Sequence, residues 1–212
     1  MNDYIVIDTN TNNMRTIDKP TTIREYKEQG KWPFSFISGK GLIKIIDNHA
    51  TQLGRNVVGL EIGVCKGENI VHFLEHTNKI EKIYGIDPYQ PYMDWIGMET
   101  EENMRTYESL AKENLAPFSD KVELIKDHSS KVSDRFSNEF FDYIFIDGDH
   151  SYEGTKGDMM LYYSKLKPGG IFAGHDINLQ SVQQAVVEFT DENSIDRTKI
   201  NYTETNVWYW YK

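Results

Sequence analysis

The sequence predicts an α/β fold: a doubly wound, mostly parallel seven-stranded sheet that ends in an antiparallel hairpin. Three observations carry this. Residues 57–60 are an apolar run that closes in Glu61, Gly63 and Gly67 and passes into a helical pattern, which reads as strand, tight turn and helix. Four more apolar runs follow, alternating with helical periodicities, and polar groups gather where each run ends. Two short aromatic runs, 199–203 and 207–211, are joined by the three residues 204–206, the spacing of a hairpin.

Taken in order, residues 1–37 show little periodicity and read as an N-terminal arm, with a short strand at 5–7, a turn-rich stretch at 9–22 and a Pro-interrupted aromatic loop at 32–36. The arm either closes over the sheet edge or the site, or packs on the core. Residues 38–212 then form one domain. Residues 38–53 read as a helix with Leu42, Ile45, Ile46, Ala50 and Leu53 inward, stopped by Gly54. Residues 69–76 form the first crossover helix, and 82–89 the second strand. Residues 90–99 interrupt the alternation with Tyr92, Trp95 and Met98, either a lid over a ligand or core packing. A helix over 100–115, a strand over 122–125, a strand over 141–147 and a helix over 151–166 come next. Residues 167–170 close that helix, and a fifth strand at 171–174 and a helix at 181–190 complete the alternation. His49, His72 and His76 read as surface residues.

Composition narrows the function. The 212 residues carry a formal net charge of −10, which argues against a nucleic-acid partner. The single Cys excludes an intrachain disulfide and a CxxC motif. No apolar run has membrane-spanning length, and the start lacks signal-peptide form, so neither a membrane partner nor export is expected and the cytoplasm is the expected location. Assembly into a homo-oligomer is left open.

Ligands of open α/β sheets bind outside the carboxyl ends of the strands. The turn Glu61-x-Gly63-x-x-x-Gly67 lacks the close glycine pair of the dinucleotide fingerprint. Asp87, ending the second strand, can accept both hydroxyls of a ribose. Asp127, His128, Ser129 and Ser130 follow the third strand, where a serine can also cap a helix. Asp147 to His150 end the fourth strand, and His175 and Asp176 the fifth. Those strands are neighbours, so Asp147, His175 and Asp176 offer two carboxylates and an imidazole to a cation. Such a set selects Mg²⁺ or Mn²⁺, with the imidazole tilting toward Mn²⁺, Fe²⁺ or Zn²⁺. His175 reads equally as a satisfied core histidine. His150, three residues past Asp147, is suited to take a hydroxyl proton near neutral pH.

The Glu61–Gly67 turn resembles the first motif of class I S-adenosylmethionine-dependent methyltransferases, with Cys65 at the middle glycine position, where catechol O-methyltransferase-like members also depart. The resemblance spans about residue 38 to the end and implies a Rossmann-like sheet. It implies that Glu61, Gly63 and Gly67 face the methionine part of S-adenosylmethionine, that Asp87 holds its ribose, and that Ser129 or Ser130 contacts its adenine. An acid ending strand four with a base three residues on, and a polar pair ending strand five, resembles the metal-dependent O-methyltransferases. Catechol O-methyltransferase-like members have a lysine base at that spacing. Macrolide sugar O-methyltransferase-like members have a histidine, as His150 is here. His175 stands where both groups have an acid.

The expected activity is methyl transfer to a hydroxyl of a small molecule or sugar, a vicinal diol or similar chelating group, with a divalent metal, Mg²⁺ or Mn²⁺, and His150 as base. The rivals are a non-catalytic cofactor-binding module of the same fold and a nicotinamide-dependent oxidoreductase.

Overall fold

The computed structural model describes residues 4–7, 14–17, 38–92 and 100–212, and these form two sheets. The smaller pairs β1 (Tyr4–Ile7) antiparallel to β2 (Met14–Ile17), with Tyr4 opposite Ile17 and Ile7 opposite Met14. A strand at Met14–Ile17 corrects the turn-rich reading of residues 9–22. Thr16 and Ile17 are β-branched, and β1 supplies a pairing edge.

The predicted helix over 38–53 divides. A 3-10 turn, Ser38–Leu42, precedes α1 (Ile43–Leu53). Gly39 and Gly41 have poor helix propensity, which accounts for the irregular start. Gly54 ends α1 with φ 64° and donates its N–H to the Thr51 carbonyl, as a left-handed cap does. Leu42, Ile46 and Ala50 face the core as expected, but Leu53 is 43% exposed and His49 is buried instead. The apolar stripe drifts around the helix, and position 49 lies between 46 and 50 on the inward side. His72 is buried as well, so of the three histidines read as surface only His76 is exposed.

The main sheet follows with β3 (Val57–Ile62), α2 (Glu68–His76), β4 (Ile80–Ile86), α3 (Glu101–Leu115), β5 (Val122–Ile125), the short α4 (Ser129–Val132), β6 (Phe141–Ile146), α5 (Tyr152–Tyr162), β7 (Leu166–Gly174), α6 (Gln180–Glu192), β8 (Asn201–Tyr202) and β9 (Trp208–Tyr211). The strand order is β5-β4-β3-β6-β7-β9-β8, parallel from β5 to β7 and antiparallel at β7–β9 and β9–β8. This is the predicted seven-stranded sheet with its hairpin. β7 starts earlier than residue 171. Lys167 to Gly170 lie within it, because the register with β6 slips between Phe141 and Tyr143 and the end of the chain pairs with this stretch through Gly169 and Gly170.

Every residue of β6 is buried, as in a parallel strand covered on both faces. Alternation assigns its side chains to two cores. Ile144 and Ile146 join Met159, Tyr162, Val186, Phe189 and the stacked Trp208 and Trp210 under α5 and α6. Tyr143 and Phe145 join Ile46, Ala50, Ile70 and Phe73 under α1 and α2. β3 and β6 run parallel, but the strand order reverses between them, so a crevice opens at their carboxyl ends, where ligands of such sheets bind. Among the described residues, no helix is long and apolar enough to cross a membrane.

Candidate active site

The crevice begins at the turn after β3. Gly63 has φ 91°, and a Cβ there would lie 2.0 Å from the Asp147 carbonyl oxygen. Only glycine fits, because two loops cross at this point: Asp147 N–H donates to Ile62 O at 2.8 Å, and Gly63 N–H donates to Ile86 O at 2.9 Å. Gly67 (φ 77°) caps α2 and packs on Leu115.

Asp87 is held by the same turn. Its two carboxylate oxygens accept from the N–H groups of Cys65 and Tyr89, each at 2.8 Å. Burial pushes its pKa up, and those N–H bonds work against the rise. A carboxylate offers about four acceptor sites, so it keeps capacity for a further donor. Cys65 takes the left-handed conformation at φ 50°, and burial pushes its thiol up to about 12, so it is not a thiolate nucleophile.

A cavity of about 420 Å³ opens here, lined among others by Gly63, Asp87, Ser129, Ser130, Asp147 and His150. Of the predicted cofactor contacts, Glu61 and Gly67 do not line it. Glu61 is 1% exposed, accepts from Asn69 Nδ2 at 2.7 Å, and has its pKa pushed well up by burial. Ser129 does not cap α4: His128 occupies the cap position with no side-chain bond, and the Ser129 hydroxyl donates to Asp158.

Asp147 follows β6 and Asp176 follows β7. The register places Ile146 beside Gly174, so the next residues of both strands meet. Asp176 is left-handed at φ 56°, which Asp tolerates better than most residues. His175 Nδ1 stands 3.4 Å from Asp147 and 3.2 Å from Asp176. His150 Nε2 stands 2.9 Å from Asp176 and 3.7 Å from Asp147. Burial lowers both imidazole pKa values, but the two carboxylates outweigh it, raising His150 to about 9 and His175 to about 10. Asp176, though burial pushes it up, is held well below the usual carboxylate range by the two histidines.

The tautomer of His175 is fixed. Its Nε2 is 2.8 Å from the Thr205 carbonyl oxygen, which can only accept, so Nε2 carries hydrogen. Nδ1 therefore faces two carboxylates and requires positive charge there, either a proton or a cation. Ligand atoms of Asp147, His175 and Asp176 lie within 4.8 Å of one another. An imidazole that donates its second N–H to a carbonyl is also the arrangement that orients metal ligands. This donor set fits a divalent cation.

Tyr92 ties the β4 loop to this cluster. Its hydroxyl donates to Asp149 Oδ1 and accepts from the His150 N–H, both at 3.1 Å. Trp95 and Met98 of the predicted lid lie outside the described residues, as does the aromatic loop at 32–36. Tyr89 is buried beside Met104 and Ala111.

Sequence reasoning missed Asp158. It lines the cavity at 6% exposure, and burial pushes its pKa up to about 6 against the Ser129 hydrogen bond. The available signal was the pattern Gly154, Gly157, Asp158 and Leu161, a weakly apolar stripe at helical spacing directly after the Asp147–His150 loop.

A family described as a methyltransferase domain matches residues 60–177, more than half of the 212. No curated protein matches the chain in sequence. Solved structures do match in fold. The O-methyltransferase NovP gives a TM-score of 0.59 at 15% identity, covering 89% of this chain and 87% of its own. The O-methyltransferase from Bacillus cereus, in complex with SAH, gives 0.57 at 16%, covering 92% and 93%. A proposed caffeoyl-CoA O-methyltransferase from Staphylococcus aureus gives 0.55 at 19%, covering 90% of each chain.

Proposed function

The chain belongs to the methyltransferase-domain family, and within it we propose an S-adenosylmethionine-dependent O-methyltransferase that acts on a hydroxyl of a small molecule or sugar. The observation that carries this reading is the meeting of Asp147, His150, His175 and Asp176 at the carboxyl ends of β6 and β7, with Asp147 and His150 lining the same cavity as Asp87. The cofactor supplies a methyl group on a sulfonium. Asp87 accepts from its ribose hydroxyls, and the turn at Gly63 lets backbone approach it closely. Much of the rate gain comes from fixing the acceptor oxygen in line with that methyl.

Asp147, His175 and Asp176 are the residues that would hold a divalent cation, Mg²⁺ or Mn²⁺. Such an ion supplies Lewis acidity to an acceptor hydroxyl, which favours a vicinal diol or another chelating acceptor. His150 takes the hydroxyl proton on Nε2, and it must be neutral to do so. Asp147 and Asp176 hold it protonated at neutral pH on their own. Once their charge is neutralised, the cause of the raised pKa is gone, and His150 returns toward the ordinary imidazole value of about 6.5.

The test is transfer of labelled methyl from S-adenosylmethionine to a panel of catechols, sugars with adjacent hydroxyls, amines and thiols, with and without chelator. A methyl ether is expected on at least one acceptor, lost on chelation and restored by Mg²⁺ or Mn²⁺. Products only on nitrogen or sulfur acceptors would contradict hydroxyl chemistry. Undiminished ether formation after chelation would contradict the cation.

A further inference from the structure

His150 lies just before the cap of α5, so the helix ladder supplies no donor for its carbonyl. The Ser151 hydroxyl caps α5 by accepting from the Gly154 N–H at 3.0 Å, and the ladder opens with the Thr155 N–H on the Ser151 carbonyl. The Asp149 carbonyl accepts from the Thr155 hydroxyl at 3.1 Å. The His150 carbonyl is served from another element: Ser181 Oγ donates to it at 2.6 Å, which joins the loop before α5 to the first turn of α6.

Serine favours the cap of a helix over a place inside it. In α6 Leu179 holds the cap position without a side-chain bond, and Ser181 stands inside the first turn with its hydroxyl turned to His150. α6 starts directly after the residues that carry His175 and Asp176. That passage is tight: the Leu179 N–H donates to the Asp176 carbonyl at 2.9 Å, and the Gln183 N–H to the Leu179 carbonyl at 2.9 Å. The Ser181 bond therefore fixes the His150 backbone against the segment that holds Asp176, whose carboxylate is 2.9 Å from His150 Nε2. On the other side the His150 N–H donates to the Tyr92 hydroxyl at 3.1 Å. Both polar groups of this peptide are held, each by a different segment.

We propose that Ser181 is a positioning residue for the reaction: through the His150 carbonyl it locks the place of the imidazole relative to the acceptor hydroxyl. This rests on the reading of His150 as the base. A base contributes only within hydrogen-bond reach of the proton it takes, and a small displacement lowers the rate steeply. Ser181 itself touches neither acceptor nor cofactor in this account, so its loss acts on turnover and leaves binding alone.

The test is a double-mutant cycle between Ser181 and His150 in the full chain, read as kcat and KM for labelled methyl transfer from S-adenosylmethionine to the catechols and sugars of the panel above. Ser181→Ala should lower kcat about tenfold, while acceptor KM and S-adenosylhomocysteine affinity stay within about twofold of native. Ser181→Thr keeps the hydroxyl and should regain most of that loss. In His150→Gln there is no base left to place, so adding Ser181→Ala should cost less than about twofold more. A side chain that merely braced α6 would instead lower kcat by the same factor in both backgrounds. Native kcat in Ser181→Ala, equal losses in the two backgrounds, or Ser181→Thr as slow as Ser181→Ala would overturn the positioning role and leave the O-methyltransferase reading intact. A native protein that methylates no acceptor of the panel would overturn both.

Discussion

Strand β6 carries an acid near each end, and the two are treated in opposite ways. Asp142, at the amino end, has a side chain 2% exposed and is fully matched by donors. Arg55 grips it with both guanidinium nitrogens, Val58 N–H reaches it at 2.9 Å and Lys167 at 2.9 Å. Burial would raise its pKa, but these donors win and lower it. Asp147, past the carboxyl end, has His150 and His175 at longer range, a second carboxylate nearby, and an open cavity in front. The first arrangement fastens the sheet to its preceding loops. The second matches its two carboxylates with imidazoles, whose charge can be lost, which a folding role does not need and a reacting site does. On the function proposed above, one strand carries stability at one end and chemistry at the other.

The largest effect should come from the chemical end. His150→Gln cannot take a proton, and methyl transfer should fall by roughly 10²–10⁴-fold in kcat, the usual contribution of a general base. Asp147→Asn should fall comparably, and both should keep S-adenosylhomocysteine affinity in calorimetry. Native turnover in both would erase the distinction between the two ends.

Next comes the structural end. Asp142→Ala strands Arg55, Lys167 and the Val58 N–H together and should cost about 3 kcal/mol, a fall of roughly 6–12 °C in melting temperature. Its kcat should stay near native at temperatures where it is folded. A melting change under one degree with lost activity would reverse the assignment.

The two ends should also fail at opposite pH. The folded pKa of Asp142 is lowered, so its contribution is present above the unfolded value of about 3.9 and lost as pH falls through the lowered one. His150 and His175 are raised to about 9 and about 10. Their contribution is complete below the unfolded value of about 6.5 and is lost as pH rises through those folded values. Thermal melts in chelator should therefore decline toward alkaline pH, and His150→Gln should flatten that limb while leaving the acid limb unchanged. The smallest expected effect is at Tyr92→Phe. Removing the hydroxyl that bridges Asp149 and the His150 N–H should lower kcat/KM a few-fold, about one net hydrogen bond, with little change in melting.

Much of this was legible in the sequence because it depends on period and punctuation. The alternation of apolar runs with helical stripes gives the strand order its parallel core, and Glu61, Gly63, Asp87, Asp147 and Asp176 mark strand ends whatever the tertiary detail. What stayed hidden depends on contacts between distant segments. Gly63 is dictated by the Asp147 carbonyl, 84 residues away, and not by a ligand alone. Lys167 to Gly170 look like a turn, yet pairing with the last residues draws them into β7. His49 and His72 are buried through tertiary packing that a helical stripe of aliphatic residues does not announce. Asp158 escaped because a lone acid on a helix is normally solvated, and only the fold turns it toward the cavity.

The most direct test is calorimetric titration of metal-stripped protein with Mg²⁺ and Mn²⁺ near neutral pH, in buffers of different ionisation enthalpy. Asp147 and Asp176 hold protons on His175 and His150, so a cation taking their place should bind with release of about one to two protons. The release should vanish in Asp147→Asn. Binding without proton release, or no binding at all, would contradict the assignment of this cluster as a cation site.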